Sequence, residues 1–262
     1  MGNFIKLENF SKLLPYVDMF KEGLIVTVLL AFFTVIIGFV LALVLALMRM
    51  SNFHPFGFLG LTKDGHLRDG GFLYHLSRFN PVSFLATAYV EIIRSTPVVV
   101  QVFIIYYGIF STLFELPSIR LFGFIRFERF FPGVVALAMN SGAYLCELIR
   151  SGIQSIDGGQ TEAARSLGLS QGQNMRFIIL PQAIKNILPA IGNEFVTIIK
   201  ESAITYTIGV QDIMAMVQAI KSATYIIMEP LLVATALYFC LCFPLSKLIA
   251  YIERRMSRGD RR

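Results

Sequence analysis

The chain has 262 residues, of which 55% are hydrophobic and 15% are charged, and its mean hydropathy is +0.66. An ordinary soluble domain carries about 25% charged residues, so this composition excludes a typical soluble globular protein and indicates a membrane protein. The net charge is +6. Because no basic face interleaved with aromatic residues accompanies this charge, we predict no nucleic-acid partner.

The first long apolar run covers residues 23–48 and contains no charged side chain. It exceeds the roughly 20 residues that a helix needs to cross a hydrocarbon core. No small-residue cleavage site follows it, so we expect a retained spanning helix and not a removed signal peptide. Residues 1–22 are then predicted to form an N-terminal extracytoplasmic segment.

Four further apolar segments follow, at residues 83–114, 131–149, 184–217 and 225–252. We therefore predict an all-α membrane protein with about five transmembrane helices, in which residues 23–252 form one transmembrane domain. Segments 49–80, 150–185 and 247–262 carry fourteen of the 23 Lys and Arg residues. Because cytoplasmic loops retain basic residues, we expect these segments, including a basic tail at 253–262, on the cytoplasmic side.

The segment at 52–80 is rich in glycine and turn-forming residues, which predicts an irregular cytoplasmic loop. It contains His54, His66 and His75. Their wide spacing, with no neighbouring cysteine, favours ordinary loop histidines over a metal site. We therefore predict no metal ion.

The most unusual polar stretch covers residues 161–182 and reads TEAARSLGLSQGQNMRFIILPQ. Ala163 and Ala164 favour a helix, and Gly168 can adopt the left-handed conformation that ends one helix and leads into the next. Pro181 is expected to break the second helical piece before the next span. The pattern predicts a helix, a turn and a helix, which is typical of a docking element for another protein.

This stretch resembles the cytoplasmic signature of the membrane subunits of ATP-binding-cassette (ABC) importers. That signature is EAA, three residues, Gly, nine residues, Ile, one residue and Leu-Pro. It is matched without a gap by Glu162, Ala163, Ala164, Gly168, Ile178, Leu180 and Pro181. The resemblance implies a type I importer transmembrane domain whose coupling loop, residues 157–181, inserts a coupling helix into the cytoplasmic ATPase.

Other segments look like the branch that imports polar amino acids such as histidine, glutamine and arginine. They are Gly23 with Thr27, residues 89–97 (YVEIIRSTP), Gln101, residues 140–164 and residues 189–202. Two features depart from that branch. The loop after the first span is longer than usual, and Ser202-Ala203-Ile204 replaces the usual Thr-Ser-Leu.

The resemblance also implies the partners of the chain. They would be a cytoplasmic ABC ATPase dimer, a second permease subunit that is either an identical copy or a sister chain, and an extracytoplasmic amino acid binding protein. The chain lacks a GxxxxGK[ST] phosphate-binding loop, so we expect it not to be an enzyme and to bind no cofactor, with ATP bound by the partner. The expected location is the bacterial cytoplasmic (inner) membrane, within the lipid bilayer.

Ionisable residues inside the spans are costly and are therefore candidates for the solute pathway. Glu91 and Arg94 are three residues apart on one helix, so they form either a structural ion pair or a part of the pathway. Asn140, Tyr144 and Glu147 recur at helical spacing and share one face of the third span. Glu147 could hold the ammonium of an amino acid; helix–helix hydrogen bonding is the alternative role for this face.

Lys200 lies beside a face shared by Glu194, Thr197 and Glu201, where helix packing or gating is as plausible as solute contact. The intramembrane carboxylates alone would also permit an ion-coupled secondary amino acid transporter. That alternative leaves the polar stretch at 161–182 without a role. We therefore favour the importer permease.

Overall fold

The computed structural model describes residues 6–60 and 72–257, and helices account for most of them. In chain order the α-helices are α1 (Leu7–Ser11), α2 (Val17–Arg49), α3 (Phe72–Ser77), α4 (Pro81–Arg94), α5 (Val98–Phe103), α6 (Ser111–Leu113), α7 (Phe127–Gln154), α8 (Gly158–Ser166), α9 (Gln171–Asn174), α10 (Leu180–Glu201), α11 (Ile213–Thr224) and α12 (Met228–Ser257). The strands β1 (Arg120–Leu121) and β2 (Ile125–Arg126) form a small antiparallel hairpin.

Tighter and wider helical turns connect some of these elements. Three 3₁₀ turns cover Leu14–Tyr16, Gly57–Gly60 and Ser202–Ile208. Two wider π-helical turns cover Ile104–Phe110 and Met175–Ile179. His66, Arg258, Arg261 and Arg262, to which the predictions for the 52–80 loop and the basic tail refer, lie outside the described residues.

Three helical segments are long and apolar enough to cross a membrane: Leu7–Arg49, Phe127–Gln154 and Met228–Met256. Two bent helix pairs bring the total to five if each pair is one span. Pro81–Arg94 and Val98–Leu113 meet at 109°, and Gln171–Ile208 meets Ile213–Thr224 at 47°. The predicted helical class with about five spans is confirmed, but two of the spans are not straight.

Each bend has a local cause in the sequence. Pro97 precedes α5 in an extended conformation and has no backbone N–H to continue the hydrogen-bond ladder of α4. Gly209 adopts the left-handed conformation at φ 81°, and Asp212 then caps α11 by accepting a hydrogen bond from the Ala215 N–H. The chain therefore stops and restarts a helix at both places.

Helices α2 and α7 form the centre of the molecule, and small residues let them approach closely. A Cβ atom added to Gly142 would lie 2.8 Å from Leu41 Cδ2, and one added to Gly38 would lie 3.3 Å from the Ala138 carbonyl oxygen. Small residues at such crossings are typical of membrane helices, which associate by close packing because lipid offers no hydrophobic driving force between them.

Two ends of the molecule can be distinguished by contacts between distant parts of the chain. At the end that carries α8, Arg49 reaches Glu147, and the Asn80 side chain donates to the Ser51 carbonyl. At the opposite end, Glu229 accepts hydrogen bonds from the Lys6 backbone N–H and the Asn9 side chain. We call these the α8 end and the α1 end.

Element boundaries differ from the sequence-based ones in three places. The first long helix begins at Val17, six residues before the predicted start of the transmembrane domain at residue 23. The loop at 52–80 is partly helical, since it contains the turn at Gly57–Gly60 and helix α3. Helix α12 continues to Ser257 and so includes the first part of the predicted tail.

Candidate coupling element and solute pathway

The segment from α8 to α9 forms a helical hairpin that turns at Gly168. Gly168 has φ 78°, as predicted, and a Cβ there would meet no atom within 4 Å. The Gly168 N–H donates to the Arg165 carbonyl and the Leu169 N–H to the Ala164 carbonyl. These two bonds form a Schellman motif, which requires a residue in the left-handed conformation. Glycine is therefore favoured at position 168 because of its backbone conformation, and not because a side chain would clash there.

Side chains cap the first turns of both helices in this hairpin. Asp157 Oδ1 accepts from the Gly159 N–H at the start of α8. Ser170 and Gln173 form a reciprocal capping box at the start of α9. Asn174 Nδ2 donates to Thr161 Oγ1 over 3.2 Å and ties the two helices together. The hairpin is therefore held by its own contacts and presents a defined surface.

The predicted coupling residues divide into an outward and an inward group. Glu162 and Ala163 are exposed, as is Leu167, whose side chain is 80% exposed. Ala164, in contrast, is buried, with 1% of its surface exposed. The exposed face of the hairpin therefore combines a charged, a small and an apolar side chain.

The prediction that Pro181 breaks the second helical piece is wrong. The helical run continues from Gln171 to Ile208, and Leu180 and Pro181 lie inside it, both exposed. The π turn at Met175–Ile179 explains the difference, because there the Leu180 N–H donates to the Met175 carbonyl and the ladder is widened just before the proline. Gln182 Nε2 donates to the Ile178 carbonyl over 2.8 Å.

Of the two roles left open for Glu91 and Arg94, the structure does not show the ion pair. Both side chains are exposed, and in the described part of the chain neither takes part in an ion pair. Arg94 is the last residue of α4 and reaches across to α7, where its Cζ lies 5.5 Å from the centre of the Tyr144 ring. This is the distance of a cation–π contact.

The face of α7 that carries Asn140, Tyr144 and Glu147 meets three different surroundings. Tyr144 is 39% exposed and lies beside Arg94. Asn140 is 6% exposed, and its Nδ2 donates to Gln101 Oε1 over 2.9 Å. Asn140 thus has the helix–helix hydrogen bond that was the alternative to pathway lining.

Glu147 lies between two guanidinium groups. Its Oε2 accepts from Arg49 Nη1 over 2.7 Å, and Arg150 Nε lies 3.1 Å from each of its oxygens. Arg150 Nη2 makes a further hydrogen bond to Glu147 Oε1. The negative charge is therefore already compensated within the chain, although a role in the solute pathway stays a prediction for this residue.

Lys200 is exposed near the end of α10, and Glu194 and Glu201 on the same helix are partly buried. Thr197 uses its hydroxyl within the helix, where Oγ1 donates to the Asn193 carbonyl over 3.2 Å. These residues lie on one helix. In the described part of the chain, no hydrogen bond joins them to Arg94 or Tyr144. The role of Lys200 stays a prediction.

Two residues of this region could not be assigned from the sequence. Gln101 was part of a family-like segment without a role, and Arg49 was counted only as a loop charge. Both act through partners that are distant in the chain, Asn140 and Glu147. Gln101 could have been noticed as a polar residue inside an apolar segment. No local feature of the sequence distinguished Arg49 from the other basic residues of the cytoplasmic segments.

The chain thus has the architecture of a helical membrane protein with several candidate spans and an exposed helical hairpin at one end. The chain belongs to the family described as binding-protein-dependent transport system inner membrane component, whose model matches residues 70–258. It is therefore a permease subunit of an ABC importer. This family membership favours the importer over the ion-coupled secondary transporter.

Curated relatives cover nearly the whole chain. The arginine transport system permease protein ArtQ of Bacillus subtilis (strain 168) is 37% identical over 96% of this chain and 99% of its own length. The nopaline transport system permease protein NocM of Agrobacterium fabrum is 38% identical over 94% of this chain and 88% of its own. Such permeases serve amino acid importers, which is the branch that the sequence resembles.

Two solved structures share the fold. A chain of a crystal structure described as an amino acid ABC transporter with histidines has 39% identity and a TM-score of 0.77, and the match covers 96% of this chain and 99% of that one. A chain of the inward-facing MetNI methionine ABC transporter has 18% identity and a TM-score of 0.64, over 93% and 98%. The second likeness concerns the fold alone. Both agree with a type I importer transmembrane domain.

Proposed function

We propose that residues 157–181 couple this permease to a cytoplasmic ABC ATPase dimer, which binds and hydrolyses the ATP. The observation that carries this proposal is the α8–α9 hairpin. It is fixed internally by the Schellman motif at Gly168, yet it presents Glu162, Ala163 and the apolar Leu167 outward. Such a rigid, partly apolar protrusion fits into a cleft and transmits force without deforming.

The remaining partners follow from this role. A second permease subunit, identical or a sister chain, would complete the pathway, and an extracytoplasmic binding protein would deliver the solute. The α8 end then faces the cytoplasm, together with the basic C-terminus, and the α1 end faces outward. The excess of Lys and Arg in segments at the α8 end supports this orientation in a bacterial inner membrane.

The solute is proposed to be a polar amino acid, because the relatives are named for arginine, nopaline and glutamine. Its carboxylate needs a cationic partner and its ammonium needs an acceptor. Arg94 and Glu91 are both exposed at the end of α4, and Tyr144 lies beside Arg94. We place the solute contact on these three residues, with Lys200 as a second cation and with Asn140 and Glu147 behind them.

Reconstitution tests this function directly. The permease is purified from its native membrane together with the proteins that bind it, and the complex is inserted into vesicles. Uptake of radiolabelled L-arginine and L-glutamine is measured with ATP inside, and again with an ion gradient and no ATP. ATP-dependent uptake supports the proposal. Uptake driven by the ion gradient alone would refute it, and so would failure of any ATPase to copurify.

A further inference from the structure

The break between α4 and α5 leaves carbonyl groups without their usual helical donors. In a continuous helix the Ile93 carbonyl would accept from the backbone N–H of residue 97, but that residue is proline and has none. Inside a spanning segment a backbone carbonyl that finds no donor costs several kcal/mol. Side chains that donate at the 109° bend would therefore stabilise it.

Gln101, one turn into α5, supplies them. Its Nε2 lies 2.7 Å from the Ile93 carbonyl oxygen, 2.8 Å from Thr96 Oγ1 and 3.1 Å from the Thr96 carbonyl oxygen. Thr96 Oγ1 in turn donates to the Ile92 carbonyl over 2.9 Å. The side chain of Gln101 thus replaces the donor that Pro97 lacks and closes the end of α4.

Asn140 on α7 fixes the direction of this amide. Gln101 Oε1 accepts from Asn140 Nδ2, so Nε2 must face the end of α4. Both side chains are 6% exposed. Gln101 and Thr96 are the polar members of a cavity of about 220 Å³ whose other lining residues are apolar. A polar network whose central members are buried makes the surrounding structure rigid only when each of those members is satisfied.

The network lies directly behind the proposed solute contact. Thr96 follows Arg94 by two residues, and Arg94 reaches Tyr144 one turn beyond Asn140 on α7. We propose that Gln101 is a positioning residue for solute recognition: with Asn140 it holds the broken span in its bent form and so places Arg94 beside Tyr144. This inference rests on the proposed function for its effect on solute affinity.

The first test compares Gln101→Met with Gln218→Met, the same change on another partly buried helix, in the assembled importer. Gln101→Met keeps the length of the side chain and removes its donors. We expect the KM for L-arginine or L-glutamine uptake to rise about tenfold through misplacement of Arg94, with little change in maximal rate per assembled complex. Gln218→Met should leave KM unchanged. An unaltered KM for Gln101→Met would overturn the inference.

A second test uses Pro97→Ala, which returns a backbone N–H at the break. In the Gln101→Met background it should recover part of the lost thermal stability, because Ile93 regains a donor. It should not recover KM, because the restored ladder straightens the span. If Pro97→Ala stabilises the wild type and the Gln101→Met variant equally, Gln101 does not replace the proline donor and the inference fails.

A third readout does not depend on transport. Spin labels at Leu85→Cys on α4 and Leu113→Cys on α6, both exposed, report the distance across the bend. Gln101→Met should broaden and lengthen this distance distribution, and an unchanged distribution would contradict the inference. If wild-type importer moves no amino acid but the bend still depends on Gln101, the proposed function fails while the positioning of the bend by Gln101 stands.

Discussion

Arg49 at the end of α2 and Glu147 near the end of α7 are joined by a 2.7 Å contact between Nη1 and Oε2, although 98 residues separate them in the chain. Their side chains are 12% and 21% exposed. The contact ties the two central helices together at the α8 end. Arg150 adds a second guanidinium group to the same carboxylate.

Glu147→Gln should therefore lower stability more than it lowers transport per molecule. Loss of hydrogen bonds to charged, partly buried partners is expected to cost about 2 kcal/mol. A double-mutant cycle with Arg49→Met measures how much of this belongs to the pair. Glu115→Gln, at an exposed position outside the proposed coupling loop, is the control. Normal melting temperature combined with reduced uptake per assembled complex would instead assign Glu147 to the solute ammonium.

Gly168→Val should uncouple the importer while leaving the spans intact. A β-branched residue is strongly disfavoured at φ 78°, at a cost of at least about 1–2 kcal/mol, and the Schellman motif would be lost. Gly172→Val is the matched control, because a Cβ at Gly172 also meets nothing within 4 Å and its φ is not positive. Solute-stimulated ATPase activity and uptake should fall only in the first variant. Equal activity in both would remove Gly168 from coupling.

Gly152→Ala should disturb the packing of α7 against α10. A Cβ at this position would overlap the side chain of Ile187, which is itself buried. Overpacking of this kind costs about 1–3 kcal/mol. Ile187→Ala should make room, so the two changes together should cost less than their sum in thermal unfolding. Strict additivity would mean that the two residues do not touch.

Thiol labelling of intact cells checks the orientation. In a background with Cys146, Cys240 and Cys242 replaced by alanine, Ser118→Cys should react with an impermeant reagent applied outside. His75→Cys and Gly259→Cys should react only after the cells are opened. The reverse pattern would place the α8 end outside and contradict docking of a cytoplasmic ATPase there.

The α8–α9 hairpin could be predicted from the sequence because its determinants are local. Gly168, the helix-forming alanines and the capping residues lie within a few turns of one another. The continuation of the helix through Pro181 could not, since the widened turn at Met175–Ile179 is a response of the whole segment to the proline. Local rules identified the element but misjudged its second boundary.

The contacts of the candidate pathway residues were less predictable because their partners come from other helices. Helical spacing correctly placed Asn140, Tyr144 and Glu147 on one face of α7. It could not indicate the partner of each residue. Gln101 on α5 contacts Asn140, Arg94 lies beside the Tyr144 ring, and Arg49 on α2 pairs with Glu147. Those outcomes depend on the 109° bend and on the close approach of α2, which are set by tertiary packing.

The unbroken helical run from Gln171 to Ile208 has a mechanical consequence. At 1.5 Å per residue this helical segment is about 55 Å long. One end lies in the α8–α9 hairpin and the other lies beside α7. At that far end, a Cβ added to Gly133 would lie 3.3 Å from Val210 Cγ2 and 3.6 Å from Thr205 Cγ2. If this run tilts as one piece, a movement applied at α8 and α9 also moves the residues around Thr205. The openings of the proposed pathway at the α8 end and at the α1 end would then be linked by the same helical segment and could not open independently.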